Sequence, residues 1–141
     1  MTANRKLATI EKVVFLKSVD IFAHATIEQL GRIAALTDEL DIKAGETIFR
    51  EGEPTDAIYL IVVGTVILGR NGQIVGEVGA RGVFGAVAAL DLSPAVHTVT
   101  TRSQVHALKL NVQDFHDLLS LDFELVKSVF RFLCQLIRQT R

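Results

Sequence analysis

The run DAIYLIVVGTVILGRNGQIVGEV, residues 56–78, constrains this chain more than any other stretch. It is rich in Ile, Val and Tyr, which pack well on a pleated surface. Gly64 interrupts it and predicts a bend or bulge. Asn71-Gly72 supplies a two-residue hairpin turn, and QIVGEV reads as the returning strand. Upstream, DELDIKAGETIFREGE reads as a strand, a turn at Gly45 and a second strand. Downstream, AVHTVTTRSQVHALKLN adds two more short strands. Many short strands with closely spaced turns imply a sandwich, barrel or roll.

Outside this segment the hydrophobic period is helical. TIEKVVFLKSV places Ile10, Val13, Val14 and Lys17 at helical spacing. After a break at DIFAHA, Thr26 and Gln29 form a capping box, and Ile27, Leu30, Ile33 and Ala34 form the stripe expected to be buried. From about Glu39 the period becomes two. Helicity returns at NVQDFHDLL, where Asn111 caps and Asp114 sits at the third position. The last stretch, DFELVKSVFRFLCQLIRQTR, is amphipathic with two apolar seams. One is Phe123, Val126, Phe130, Leu133 and Ile137; the other is Leu125, Val129, Phe132 and Leu136. Together they cover about half the helix circumference, against the roughly 100° that packing on one core requires. One seam is expected on the strands and the other, Phe123 to Ile137, on a second copy of the chain. Deeper burial within its own domain is the alternative. The expected organisation is one domain over 1–141. It comprises N-terminal helices to about residue 37, strands over 38–110 and C-terminal helices over 111–141.

The totals exclude several classes. The chain has 141 residues with 15 basic and 16 acidic side chains and a net charge of −1. Nothing in that balance argues for a nucleic-acid or anionic-membrane surface. One cysteine, Cys134, precludes an internal disulfide and fits a reducing, cytoplasmic setting. No apolar run reaches bilayer-spanning length, so no membrane insertion is expected, and MTANRKLATIEK is too polar for a secretory signal. His24, His97, His106 and His116 show no metal-ligand spacing. No G-x-S-x-G or P-loop is present, and Ser93 and Ser103 have no base at readable spacing. GQIVGEVGARG is glycine-rich but joins strands, unlike a dinucleotide site. Cys134 reads as a bystander thiol. No catalysis, metal or cofactor is expected.

The order helix, roll, long helix, with EGEPTDAIYLIVVGTV at its centre, resembles the cyclic nucleotide-binding domain family. Glu51-Gly52-Glu53, Asp56, Tyr59, Ile61 and Gly64 fall on that family's EGE, D, Y, I and G pattern. GARGVFG resembles its turn into FG, with Gly82 and Gly85 in place, and NVQDFHDLL resembles its D-R-E-D-F-x-x-L-L. The resemblance implies an α+β fold: an antiparallel β-roll, jelly-roll-like, flanked by N-terminal helices and a long C-terminal helix. It also implies a short cassette helix at about 84–90 inside the ligand site. The ligand-pocket residues it points to are Phe84, Gly85, Ala86, Val87, Ala88, Ala95, Val96 and Thr98.

The cassette of the family reads F-G-E-x-A, then P-R-(S/T/A)-A-(T/S). Its glutamate accepts hydrogen bonds from the ribose hydroxyl and its arginine pairs with the phosphate. Here Phe84, Gly85, Ala88, Pro94 and Thr98 match, but Ala86 stands at the glutamate position and Ala95 at the arginine position. Val96 replaces a frequent hydroxyl. The expectation is a regulatory, ligand-sensing domain with weak or no binding of cAMP or cGMP. Two alternatives stand beside it. One is a true sensor of a cyclic nucleotide or other small effector through unconventional contacts. The other is a ligand-free dimerisation or interaction module. Arg81, Arg102 and His97 are the cations near enough in sequence to substitute. If Thr98 faces the pocket, strand alternation turns His97 away. In the resembling family the last helix drives an attached effector. No DNA-reading element is expected within residues 1–141, and the chain reads either as a stand-alone regulatory module or as a piece of a larger protein, with an attached effector domain as the alternative partner to a second copy.

Overall fold

In the computed structural model, residues 6–139 are described; residues 1–5 and 140–141, the extremes of the expected helical ends, lie outside the described residues. Helices α1 (Thr9–Lys17) and α2 (Ile27–Leu36) come first, separated by a 3-10 turn at Asp20–Phe22. Strands β1 (Thr37–Ile42), β2 (Thr47–Phe49), β3 (Ala57–Val63), β4 (Val66–Arg70), β5 (Gln73–Val78) and β6 (Val83–Phe84) follow. Helix α3 (Ala86–Asp91) precedes β7 (Thr98–Thr101) and β8 (Val105–Asn111). Helices α4 (Val112–Leu119) and α5 (Phe123–Gln139) complete the order.

The strands form two four-stranded antiparallel sheets, β1-β8-β3-β6 and β2-β7-β4-β5. This is the α+β roll that the family resemblance implies, one of the three forms that the strand spacing allows. Strand β3 is buried on both faces, which explains its unbroken apolar run. Ile58 and Leu60 pack with Leu108 and Leu110 against the helices. Tyr59 and Ile61 point between the sheets, toward Val66, Phe84, Val99 and Ala107. Gly64 follows a register shift in the β3–β8 pairing and has φ +104°. A β-carbon there would lie 2.3 Å from the Gln104 carbonyl oxygen, so only glycine fits. Asn71 and Gly72, with φ of 54° and 77°, make the β4–β5 hairpin turn.

The helices cover the outer face of the first sheet. Phe22 meets Phe115 edge to face, with ring centroids 6.0 Å apart. In α2 the capping box forms as expected: the Gln29 backbone N–H donates to Thr26 Oγ1 at 3.1 Å, and the Thr26 N–H donates to Gln29 Oε1 at 2.8 Å. Gln29 Nε2 also donates to Asp122 Oδ2 at 2.8 Å. Asp122 Oδ1 in turn accepts from the Leu125 N–H in the first turn of α5, at 3.1 Å. Asn111 caps α4 by accepting from the Asp114 N–H at 3.1 Å.

The helix faces are buried unevenly. Of the α1 residues at helical spacing Val13 is buried, together with Leu16, while Ile10 and Val14 are exposed. Ile27, the first residue of α2 and part of the stripe expected to be buried, is 72% exposed, while Leu30, Ile33 and Ala34 enter the core cluster. In α5, Leu125 and Val129 pack against the 3-10 turn and join the cluster in which the helices meet Ile58, Leu60, Leu108 and Leu110 of the first sheet. The other seam leaves Phe123 and Phe130 exposed, with Val126 and Leu133 half-buried and Ile137 60% exposed. Among the described residues no helix is long and apolar enough to cross a membrane.

Candidate functional site

Gly85 begins the site. It caps α3 with φ +80°, and a β-carbon there would press to 3.2 Å from the Ala57 carbonyl oxygen. Glycine therefore lets β6 turn sharply into α3, and the helix starts at Ala86 rather than at residue 84. Leu92 ends α3 in the left-handed conformation.

Beside α3 lies a cavity of about 370 Å³, within the range of about 300–1,000 Å³ typical of small-molecule sites. Phe84, Gly85, Ala86, Val87 and Ala88 form one wall. Ala95, Val96 and His97 form a second, and Phe49, Leu68, Val83 and Val99 close it from the strands. Phe132 and Leu136 reach over it from α5. Ala86 and Ala95, at the positions where the family pattern has an acid and a base, are both buried on its wall.

Thr98 is not on this wall. The alternation of His97 and Thr98 exists, but in the opposite sense from the expected one: His97 faces the cavity, and Thr98 faces a separate depression that Glu51 also lines. The reason is a hydrogen bond. Thr98 Oγ1 accepts from the Glu51 N–H at 3.0 Å, which commits the hydroxyl to the loop. That loop is the EGE segment. The Gly52 N–H donates to the Ala95 carbonyl and the Ala95 N–H to the Glu53 carbonyl, each at 2.8 Å. Glu51 Oε1 accepts from the Asn71 N–H, and Glu53 Oε1 from the Arg50 N–H, each at 2.7 Å. Both carboxylates therefore fasten loops, and neither reaches the cavity.

Neither of the other candidate cations lines the cavity. Arg102 pairs with Glu77 at 2.7 Å, and Arg81 sits exposed in a left-handed turn whose N–H donates to the Ile61 carbonyl. Burial holds the His97 imidazole below its ordinary range, the nearby Arg70 guanidinium adds to this, and Glu51 opposes it. Burial likewise pushes the Tyr59 phenol up, with the Asp56 carboxylate adding to it. Among the described residues lining the cavity, His97 is the sole titratable one, so near neutral pH the wall carries no formal charge.

Sequence reasoning missed Phe49, Leu68, Val83 and Val99 as wall residues, and Arg70 as the charge acting on His97. The Phe132 and Leu136 seam was visible, but not its target. His106 has one nitrogen 2.7 Å from Asp41 Oδ1 and the other 2.9 Å from Glu39 Oε2, which fastens β1 to β8. Among the described residues no group of three His, Cys, Asp or Glu is placed to hold a metal ion.

The comparisons agree with this architecture. The profile of the cyclic nucleotide-binding domain matches residues 39–122. A CRP-like cAMP-activated global transcriptional regulator from Mycobacterium tuberculosis is 30% identical over 116 residues, 77% of this chain and 52% of that protein. A cAMP-dependent protein kinase regulatory subunit from Aspergillus niger is 33% identical over 108 residues, 74% of this chain and 26% of that protein. Among solved structures, the N-terminal domain of a transcriptional regulator from Streptomyces coelicolor A3(2) aligns at 27% identity. Its TM-score is 0.78, covering 90% of this chain and 94% of that one. With the profile lying across the roll, the cassette turn and the helix that follows, the chain belongs to the cyclic nucleotide-binding domain family.

Proposed function

We propose that the chain is a regulatory, ligand-sensing domain, without catalysis, whose cavity has lost tight binding of cAMP and cGMP. One observation carries this reading: Ala86 and Ala95 stand buried on the cavity wall where the family pattern has a glutamate and an arginine. A charge-assisted hydrogen bond contributes roughly 1.5–3 kcal/mol net. Losing the ribose acceptor and the phosphate cation together removes about 4 kcal/mol, near three decades of affinity. A phosphate entering without a counter-charge meets a further desolvation cost. The low proton affinity of His97 supports the same reading, since a neutral imidazole supplies no cation. The single cysteine suits a cytoplasmic setting.

Calorimetry with cAMP and with cGMP tests this. The native chain is expected to show dissociation constants weaker than micromolar for both, and a micromolar or tighter value overturns the reading. The double variant Ala86→Glu with Ala95→Arg is expected to gain roughly two to three decades of affinity.

A second observation supports a partner. Phe123 and Phe130 are 68% and 60% exposed on one line of α5. Isolated exposed apolar residues are ordinary, but aromatic side chains at helical spacing form a seam. We infer that two copies pair along it. Sedimentation is expected to give a dimer for the native chain and a monomer for Phe130→Glu; an unchanged mass removes the seam from the interface.

A further inference from the structure

The cavity has a chemistry of its own beyond the absence of a phosphate partner, and an occupant inferred from it presupposes the loss of nucleotide binding proposed above. Phe49 and Phe84 lie on its wall with centroids 6.0 Å apart and planes tilted by 39°. Tyr59 backs Phe84 in a parallel stack, with centroids 4.8 Å apart and planes 1° apart, so the Phe84 ring is braced from behind. A third ring, Phe132, approaches from α5. Val87 and Val96 on the wall remain 49% and 36% exposed, apolar surface that an occupant would remove from water.

We propose that this cavity takes a planar, uncharged aromatic molecule with one hydrogen-bonding group directed at His97. Three rings favour a flat aromatic partner in offset or edge-on contact. At about 370 Å³ the cavity is near the lower end of the usual range, which suits about two or three fused or linked rings. Charge selects against ions. An anion or cation would leave water for a wall that offers no opposite charge. His97 in its neutral form has one donor and one acceptor nitrogen, and so serves a hydroxyl, amine or carbonyl equally. The imidazole's resistance to protonation keeps it in that form.

The test uses two probes that share a skeleton: neutral phenylnaphthylamine and anilinonaphthalene sulfonate, which carries an added sulfonate. Fluorescence titration of the intact chain is expected to give saturable binding of the neutral amine, more than about tenfold tighter than the sulfonate. Val96→Trp, which fills the mouth at a partly exposed position, is expected to weaken the amine by about tenfold or more, whereas Ile10→Glu, at an exposed position on α1, leaves it unchanged. Ala95→Arg provides a second, independent variant and is expected to shift preference toward the sulfonate. Equal or reversed preference in the native chain overturns the proposal. So does amine binding that survives both cavity variants but is lost in Phe130→Glu, since the probe would then sit on α5. Direct calorimetry with cAMP separates the two readings. Micromolar cAMP binding defeats the loss of nucleotide binding, whereas failure of both cAMP and the amine defeats only the aromatic occupant.

Discussion

Over its first turns α5 buries Leu125, Ser128 and Val129, whereas from Phe132 onward it buries no side chain fully. The first half packs on the 3-10 turn and into the helical cluster, and its start is capped by Asp122. In the second half Phe132 and Leu136 face the cavity, while Cys134 and Gln135 face water. Helix propensity does not separate the halves, since both carry good helix formers. What separates them is the surface each has to lean on. The proximal half rests on close-packed side chains, and the distal half rests partly on space. An occupant of the cavity would therefore add contacts mainly to the distal half.

Truncating one leucine in each half puts this contrast at greatest risk. Leu125→Ala is expected to destabilise the fold by about 2–5 kcal/mol, as for other fully buried leucines. Leu136→Ala is expected to lose about 1 kcal/mol or less. Urea unfolding of both variants checks this, and equal losses would mean that the halves are packed alike. Next in size is Asp122→Ala, which removes the cap of α5 and the acceptor for Gln29 together. About 1–2 kcal/mol is expected, measured the same way.

The smallest effect concerns the distal side. The folded chain holds His97 below its ordinary pKa of about 6.5, so the unfolded chain binds more protons in the window beneath that value. The His97 contribution to stability is therefore fully present above pH 6.5, and is lost as pH falls through the folded pKa. The melting temperature of the native chain is expected to drop over that window more than that of His97→Gln. Parallel curves would place His97 in water, away from the cavity wall.

The parts legible in the sequence are those set by neighbours along the chain. Thr26 with Gln29, Asn111 with Asp114, and Asn71-Gly72 each act within a few residues, so their spacing alone announces them. Gly64 could be read as a break but not as a contact with Gln104, which lies forty residues further along. The family pattern brought Phe84 to Ala88, Ala95 and Val96 together because the cassette is itself a local segment. It did not foresee Phe49, Leu68 or Val83, which reach the same space through strand pairing. Period-two alternation correctly put His97 and Thr98 on opposite faces, but the sense was decided by a distant backbone N–H at Glu51. Likewise, the antiparallel register that sets Asp41 opposite His106 is a property of β1 and β8 together. Ile10, Val14 and Ile27 satisfied the helical period and still ended in water. A stripe marks which residues share a side, but the neighbouring layer determines how much of that side it reaches.

The Gln29 side chain has one oxygen and one nitrogen, and each is already spoken for: the oxygen closes the start of α2, and the nitrogen grips the carboxylate that starts α5, 93 positions away. The amide thus ties the two helix origins together, and Arg32, also on α2, stands 3.6 Å from the same Asp122 oxygen. A glutamate in place of Gln29 would keep the first duty and set two acids face to face in the second. Alanine would give up both side-chain bonds and leave the Arg32 pair. The start of the helix that reaches over the cavity is therefore held by two residues of one distant helix.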